Sequence, residues 1–272
     1  MTDWLELCRA AVADVEAVLA RLPTRVEREP VVGEGLGGDE TTAIDQAAEE
    51  AILARVRDSA GAVVSEEVGR VGGTGLPLVV VDPIDGSLNA KRGIPFFSLS
   101  IAVAEGETMD DVVFGFVHDF GSCEEWTAQR GGGAWLNGET LGSVRPKDDV
   151  EILSFEATLT SPVARDAPKV ADLAHRLRIM GSLALSFCHL AAGRVDAVCS
   201  LKPARSVDIA AAQLLCREVG LSVDLFDVEE PFGAAPLDLE QRSRVVAAGS
   251  EAVCGRIAGA LRGDGMPPFS NE

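Results

Sequence analysis

LVVVDPIDGSLNA, residues 78–90, is the stretch on which the reading of this chain turns. Four apolar residues, Leu78 to Val81, follow one another, the mark of a strand that belongs in a core. The run stops at Asp82. A second carboxylate, Asp85, follows across Pro83 and Ile84, and Gly86 and Ser87 come next. A strand that turns through glycine into a helix is where α/β proteins seat anions, because free backbone N–H groups and the helix dipole point there. Carboxylates at such a seat repel an anion unless a cation stands between them. Two Asp side chains and the Ile84 carbonyl are hard oxygen donors of the kind Mg²⁺ takes. D-P-x-D-G is also good turn chemistry anywhere, so the metal reading needs further acids.

Other segments supply them. Ser65-Glu66-Glu67 follows the short apolar run 62–64, Asp39 and Asp45 flank Thr41-Thr42 at the start of a helical pattern, and Asp208 stands before the alanine-rich IAAAQLL. Each taken singly is more often a solvated acid or a helix cap.

The whole chain bounds what such acids serve. Its 272 residues are 47% hydrophobic, enough for one large or two modest cores. It holds 43 Asp plus Glu against 24 Lys plus Arg, a net charge of −19 that repels nucleic acid and anionic membranes at long range. No apolar stretch is long enough to span a bilayer, and the N-terminus carries acids where a secretory signal has a basic start, so a cytoplasmic protein is expected. The six cysteines are scattered without a C-x-x-C, which reads as buried thiols rather than a disulfide framework.

Helical spacing covers residues 4–22, ending at Pro23, and residues 44–56. Strands are expected at 62–64, 78–81, 96–104, 112–117 and 124–128, with a hairpin turn at Asn137-Gly138. This half reads as two helices, preceding any clear strand, packed on a largely antiparallel sheet. Beyond residue 145 strands at 151–155, 178–180 and 195–199 alternate with helices over 182–192 and 208–218, and Gly193 and Gly220 stand where C-caps belong. The fold class is therefore α/β in two lobes, residues 1–147 and 148–272.

The segments SEE (65–67), VDPIDGSLNA (81–90), DETTAID (39–45) and VDIAAAQLLCREVG (207–220) together resemble the inositol monophosphatase family of Mg²⁺-dependent, lithium-sensitive phosphatases. NAKRGIPFFSLSIAV (89–103) and RIMGSLALSFCHLAAGRVDAV (178–198) resemble most its archaeal-type members, which act as inositol monophosphatase and fructose-1,6-bisphosphatase. The resemblance implies the family's sugar-phosphatase fold of alternating layers, αβαβα. It implies one Mg²⁺ held by Glu66, Asp82 and the Ile84 carbonyl, a second by Asp82, Asp85 and Asp208, and a weaker third near Glu66 and, through water, Asp39. It further implies a phosphate seat at Gly86 and Ser87 beside Asp85, a water oriented by Ser87 or Thr42 with Asp39, substrate contacts at Gly181 and Ser182, and a homodimer. Ser87 stands where the family has threonine, keeping the hydroxyl and losing a methyl.

Substrate choice is less sharply marked. Inositol-phosphate members carry a glutamate about seven residues before the last aspartate, where this chain has Leu201. Arg178, Lys202 and Arg205, with Arg92 a fainter fourth, are basic residues that a second phosphate on a sugar bisphosphate would want. A 3′(2′),5′-bisphosphate nucleotidase, a histidinol-phosphate phosphatase and a non-catalytic binding protein on the same scaffold are the alternatives. Gly33–Gly38 matches G-x-G-x-x-G without a buried strand before it and is read as a lead-in to Asp39. His118, His175 and His189 show no metal-ligand spacing.

Overall fold

Leu78–Asp85 runs inside an eight-stranded sheet whose order, edge to edge, is Glu139–Thr140, Gly133–Leu136, Glu124–Gln129, Val112–Asp119, Ser98–Ala104, Leu78–Asp85, Ala62–Ser65 and Gly69–Val71. The computed structural model describes residues 3–36, 40–143, 147, 149–157 and 159–263. Neighbours in this sheet are antiparallel except Ala62–Ser65 and Leu78–Asp85, which are parallel. A second sheet has the order Ala174–Arg178, Val150–Glu156, Ala197–Ser200, Val245–Ala248 and Ser222–Leu225.

Apolar periodicity explains the layers. In the opening stretch Leu78 and Val80 point into a core shared with the helices Leu183–Ala191 and Ser206–Glu218, which lie between the two sheets. Val79 and Val81 point the other way, onto Trp4–Arg21 and Ala43–Val56. The outer face of the second sheet packs on Glu251–Arg262. Helix, sheet, helix, sheet, helix is the expected αβαβα order, and the solid apolar run of residues 78–81 satisfies a core on each side, as do Ala62–Ser65 and Ser98–Ala104 beside it. No helix of the described residues is long and apolar enough to cross a membrane.

The departures have local causes. Val31–Glu34 pairs with Glu40–Thr42 across the glycine-rich loop, so a small hairpin precedes the second long helix where no strand was expected. Its residues are mostly exposed and carry no apolar alternation to read. The strand expected at 178–180 lies at Ala174–Arg178, an edge strand whose alternate charged side chains hide its period. Gly193 and Gly220 do take positive φ just past their helices. The expected lobe boundary falls on Arg145-Pro146-Lys147-Asp148-Asp149, of which Arg145, Pro146 and Asp148 lie outside the described residues.

The strand expected to stop at Val81 continues to Asp85, and its register explains how. Asp82 pairs with Ser100 and Asp85 with Ser98, three residues opposite two, so one extra residue bulges at Pro83-Ile84. In a regular strand residues three apart face opposite sides. The bulge returns both carboxylates to one side and gives proline a place where no ladder donor is needed.

Past the bulge Gly86 has φ of 89°, and a Cβ there would stand 2.9 Å from the Gly181 carbonyl oxygen, so the two segments meet backbone to backbone. Asn89 fastens the contact: its Nδ2 donates to the Phe96 and Met180 carbonyls, each at 2.8 Å. Asn89→Ala is expected to cost about 2 kcal/mol, since two half-buried carbonyls lose their donor. Asn89→Asp should fare no better, because a carboxylate cannot donate. Chemical denaturation of the three proteins checks this, and a near-native Asp variant would contradict it.

Candidate active site

Parallel pairing brings the first two acids together. Ser65 lies in register with Val81, so the next residues, Glu66 in the turn that follows its strand and Asp82 within its own, come side by side. Asp208 arrives from the first turn of the central helix Ser206–Glu218, and Asp85 from beyond the bulge. All four, with Ile84, Gly86 and Ser87, line one cavity of about 340 Å³.

Burial makes the set costly. Asp82 and Asp85 are 1% and 8% exposed. Desolvation pushes the Asp82 carboxyl well above the carboxylate range, with the charges of Glu66, Asp85 and Asp208 adding to it. Desolvation also raises Glu66, against the pull of Arg205, and takes Asp85 to about 7 although Ser182 and Ala184 donate to it. Glu67, beside them and bonded by the Thr41 hydroxyl, is likewise pushed up to about 7, chiefly by burial. A cavity that holds so many acids against these penalties is suited to cations.

Asp85 serves two parts of the fold at once. Its Oδ2 accepts from the Ser182 hydroxyl and from the Ala184 N–H at 2.8 Å, capping the helix Leu183–Ala191. From beneath, Glu156 accepts from the N–H of Gly181 at 2.8 Å and from the Ser186 hydroxyl at 2.9 Å. The 180–184 turn is thus held between carboxylates from the two sheets.

Several expected site residues stand elsewhere. Gly181 and Lys202 line the cavity. Among the described residues Arg178, Ser182 and Thr42 do not: Arg178 is exposed at the end of its strand, Ser182 is 1% exposed with its hydroxyl given to Asp85, and Thr42 is buried beside Asp45. Leu201, the position compared with the family's glutamate, turns into the core, while its neighbours Ser200 and Lys202 face the cavity. Arg92 is drawn away to Glu29 at 2.8 Å. Asp39 lies outside the described residues.

Arg205 is the largest revision. Expected to face substrate, its guanidinium lies among the acids: Nη2 is 2.6 Å from Glu66 Oε1 and 2.9 Å from Asp208 Oδ1, with the side chain 8% exposed. It is the N-cap of the Asp208 helix, and its own N–H donates to Asp208 Oδ2 at 2.7 Å.

Asp45, noted in the sequence only as one of several further acids, and Lys91, which was not singled out, both belong in the candidate site. The Thr42 hydroxyl donates to Asp45 Oδ2 at 2.5 Å, and Lys91 Nζ lies 3.2 Å from the same oxygen. Asp45 Oδ1 is buried with no hydrogen-bond partner among the described residues. Both residues line the cavity. The T-x-x-D capping signature marks Asp45 as a helix start, and only the tertiary fold shows that it lines the cavity near Glu66 and Glu67.

One compact group of ligand-type atoms among the described residues lies elsewhere: Asp119, Glu124 and His189, within 4.8 Å of one another. Glu124 is paired through both oxygens with Arg194, and Asp119 accepts from Gly121 N–H and the Ser122 hydroxyl, so local structure already uses two of the three.

A model of the inositol monophosphatase family matches residues 3–263. The fructose-1,6-bisphosphatase/inositol-1-monophosphatase of Archaeoglobus fulgidus is 33% identical over 249 residues, 90% of this chain and 93% of its own. The protein named Nus factor SuhB of Escherichia coli K12 is 35% identical over 196 residues, 67% of this chain and 70% of its own. Among solved structures, the MJ0109 gene product, an inositol monophosphatase-fructose 1,6 bisphosphatase, matches with a TM-score of 0.80 at 26% identity, covering 95% of this chain and 100% of that one.

The raised Asp85 carboxyl has a measurable consequence. Folded, it keeps its proton to about 7, whereas the unfolded chain releases it near ~4. Across that window the folded state binds more protons, so this group's contribution to stability falls as pH rises and levels off above. In EDTA, Asp85→Asn should therefore gain stability relative to the parent between pH 5 and pH 8, measured by denaturant midpoints. A difference independent of pH would contradict the assignment.

Proposed function

Since the chain belongs to the inositol monophosphatase family of phosphatases, we propose that it releases inorganic phosphate from a small phosphorylated polyol or sugar, inositol monophosphate, fructose 1,6-bisphosphate or both, with Mg²⁺ as cofactor. The reading rests on the convergence of Glu66, Asp82, Ile84, Asp85 and Asp208 on one cavity beside Gly86-Ser87. This donor set fits hard divalent cations. Carboxylates and a peptide carbonyl offer only oxygen, and burial has raised three of the carboxyls in a way that a bound cation reverses.

Glu66, Asp82 and the Ile84 carbonyl would hold one ion and Asp82, Asp85 and Asp208 a second. A third would lie near Glu66 and Asp39. When bound, such ions supply an acidified water and neutralise charge on the phosphate and on the departing alkoxide. The N–H groups at Gly86 and Ser87 would receive the phosphate. The Ser87 hydroxyl, which in the structure donates to the Ile84 carbonyl at 3.0 Å, orients the attacking water. Asp45, through its unpartnered Oδ1, is the carboxylate placed to take the proton, in the role expected of Asp39, and Thr42 holds it by Oδ2. Lys202, exposed on the rim, is the cation that a second phosphate would meet.

In this reading residues 1–147 furnish most ion ligands and residues 148–272 furnish Asp208 and the rim. A cytoplasmic, lithium-sensitive homodimer completes it, on family likeness.

Phosphate release from myo-inositol 1-phosphate, fructose 1,6-bisphosphate and adenosine 3′,5′-bisphosphate, with Mg²⁺ and with EDTA, tests the reading. Mg²⁺-dependent release from either of the first two is expected, and Asp208→Asn should lower it at least about 100-fold. Release from the nucleotide alone would overturn the substrate. No release from any of them would overturn the catalytic reading and favour a role of the kind named for the SuhB relative.

A further inference from the structure

Resting on the cation reading above, we propose that Arg205 is a built-in counter-ion that competes with the divalent cation for Glu66 and Asp208. The guanidinium occupies the oxygens that an incoming ion needs. Its Nη2 bonds Asp208 Oδ1 at 2.9 Å and Glu66 Oε1 at 2.6 Å, and the backbone N–H of the same residue takes Asp208 Oδ2 at 2.7 Å. Both oxygens of Asp208 therefore accept from Arg205.

The grip is built into the fold rather than left to a loose side chain. Ala204, the preceding residue, is tied to Ser243 by a bridge whose N–H to carbonyl distance is 2.7 Å, and Ser206, the following one, donates its hydroxyl to the Asp238 carbonyl at 2.6 Å. The backbone of Arg205 is pinned on each side, so exchange between guanidinium and metal falls to the side chain. The backbone bond to Oδ2 can persist while Nη2 releases Glu66 and Oδ1.

Two consequences follow from charge alone. Without a divalent ion, Arg205 keeps Glu66, in the turn after Ala62–Ser65, and Asp208, on the helix Ser206–Glu218, from repelling one another. With the ion present, a guanidinium and a dication on the same oxygens repel, and binding must displace the first to admit the second. Arg205 thus holds the empty site together and weakens its hold on metal.

The test compares the parent with Arg205→Met and Arg205→Lys, using calorimetric titration with MnCl₂ and MgCl₂ and thermal melts in EDTA and in saturating Mg²⁺. Arg205→Met is expected to bind the ion at least about tenfold more tightly, to melt lower in EDTA, and to gain more than the parent on adding Mg²⁺. Arg205→Lys, with a shorter reach to Glu66, should fall between them. Should the Met variant not fold in EDTA, the unaltered protein gives the second measurement. Mg²⁺ should speed modification of Arg205 by phenylglyoxal, located by mass spectrometry. Ion affinity unchanged or weakened in both variants, or an Arg205 that Mg²⁺ does not unmask, would overturn the competition alone. A parent that binds neither ion would overturn the cation reading itself and this inference with it.

Discussion

Mutual repulsion among Glu66, Asp82, Asp85 and Asp208 is the constraint around which this fold is arranged. Four carboxylates from three segments of the chain face one cavity, two of them almost wholly buried, and Arg205 partly compensates them. Such a cluster opposes folding unless protons, a guanidinium or metal ions offset it. The strands and helices that carry the acids must therefore draw their stability from elsewhere. They do so through the continuous apolar cores above and below Leu78–Asp85.

The same constraint explains why so much polar structure gathers at the turn over residues 180–184. Asp85 caps the helix that begins there, Glu156 holds it from the other sheet, and Asn89 bonds the carbonyl of Met180. Gly86 allows the two backbones to approach without a Cβ between them, and Gly181 leaves room for the Asn89 side chain. Asp85, one of the acids of the cavity, is thereby fixed by the contact that joins the two sheets. Site geometry and packing between the sheets are one problem, and a change at either is felt at both.

Much of this was legible in the amino-acid order. An uninterrupted apolar run ending in two aspartates marks a core strand with a candidate site at its end, and helical and strand periods mark an α/β chain, while the αβαβα order came from the family resemblance. The bulge was not legible: Pro83 hints at a break, but only the pairing with Ser98 and Ser100 shows that it turns two acids to one side. Arg205 was read as facing substrate because sequence separation conceals its approach to Glu66. Asp45 looked like a helix cap, which it is, and its second oxygen gained meaning only from its neighbours in space. The exposed hairpin at Val31–Glu34 and the polar edge strand at Ala174–Arg178 gave weak signals because neither contributes a full apolar face to a core.

Crystals grown or soaked with Mn²⁺ and measured for anomalous scattering test the central claim most directly. The account predicts at least two peaks, within coordination distance of Glu66, Asp82, the Ile84 carbonyl, Asp85 and Asp208, with the Arg205 guanidinium displaced from Glu66. An empty acidic cavity in the presence of Mn²⁺, or peaks confined to Asp119, Glu124 and His189, would contradict it.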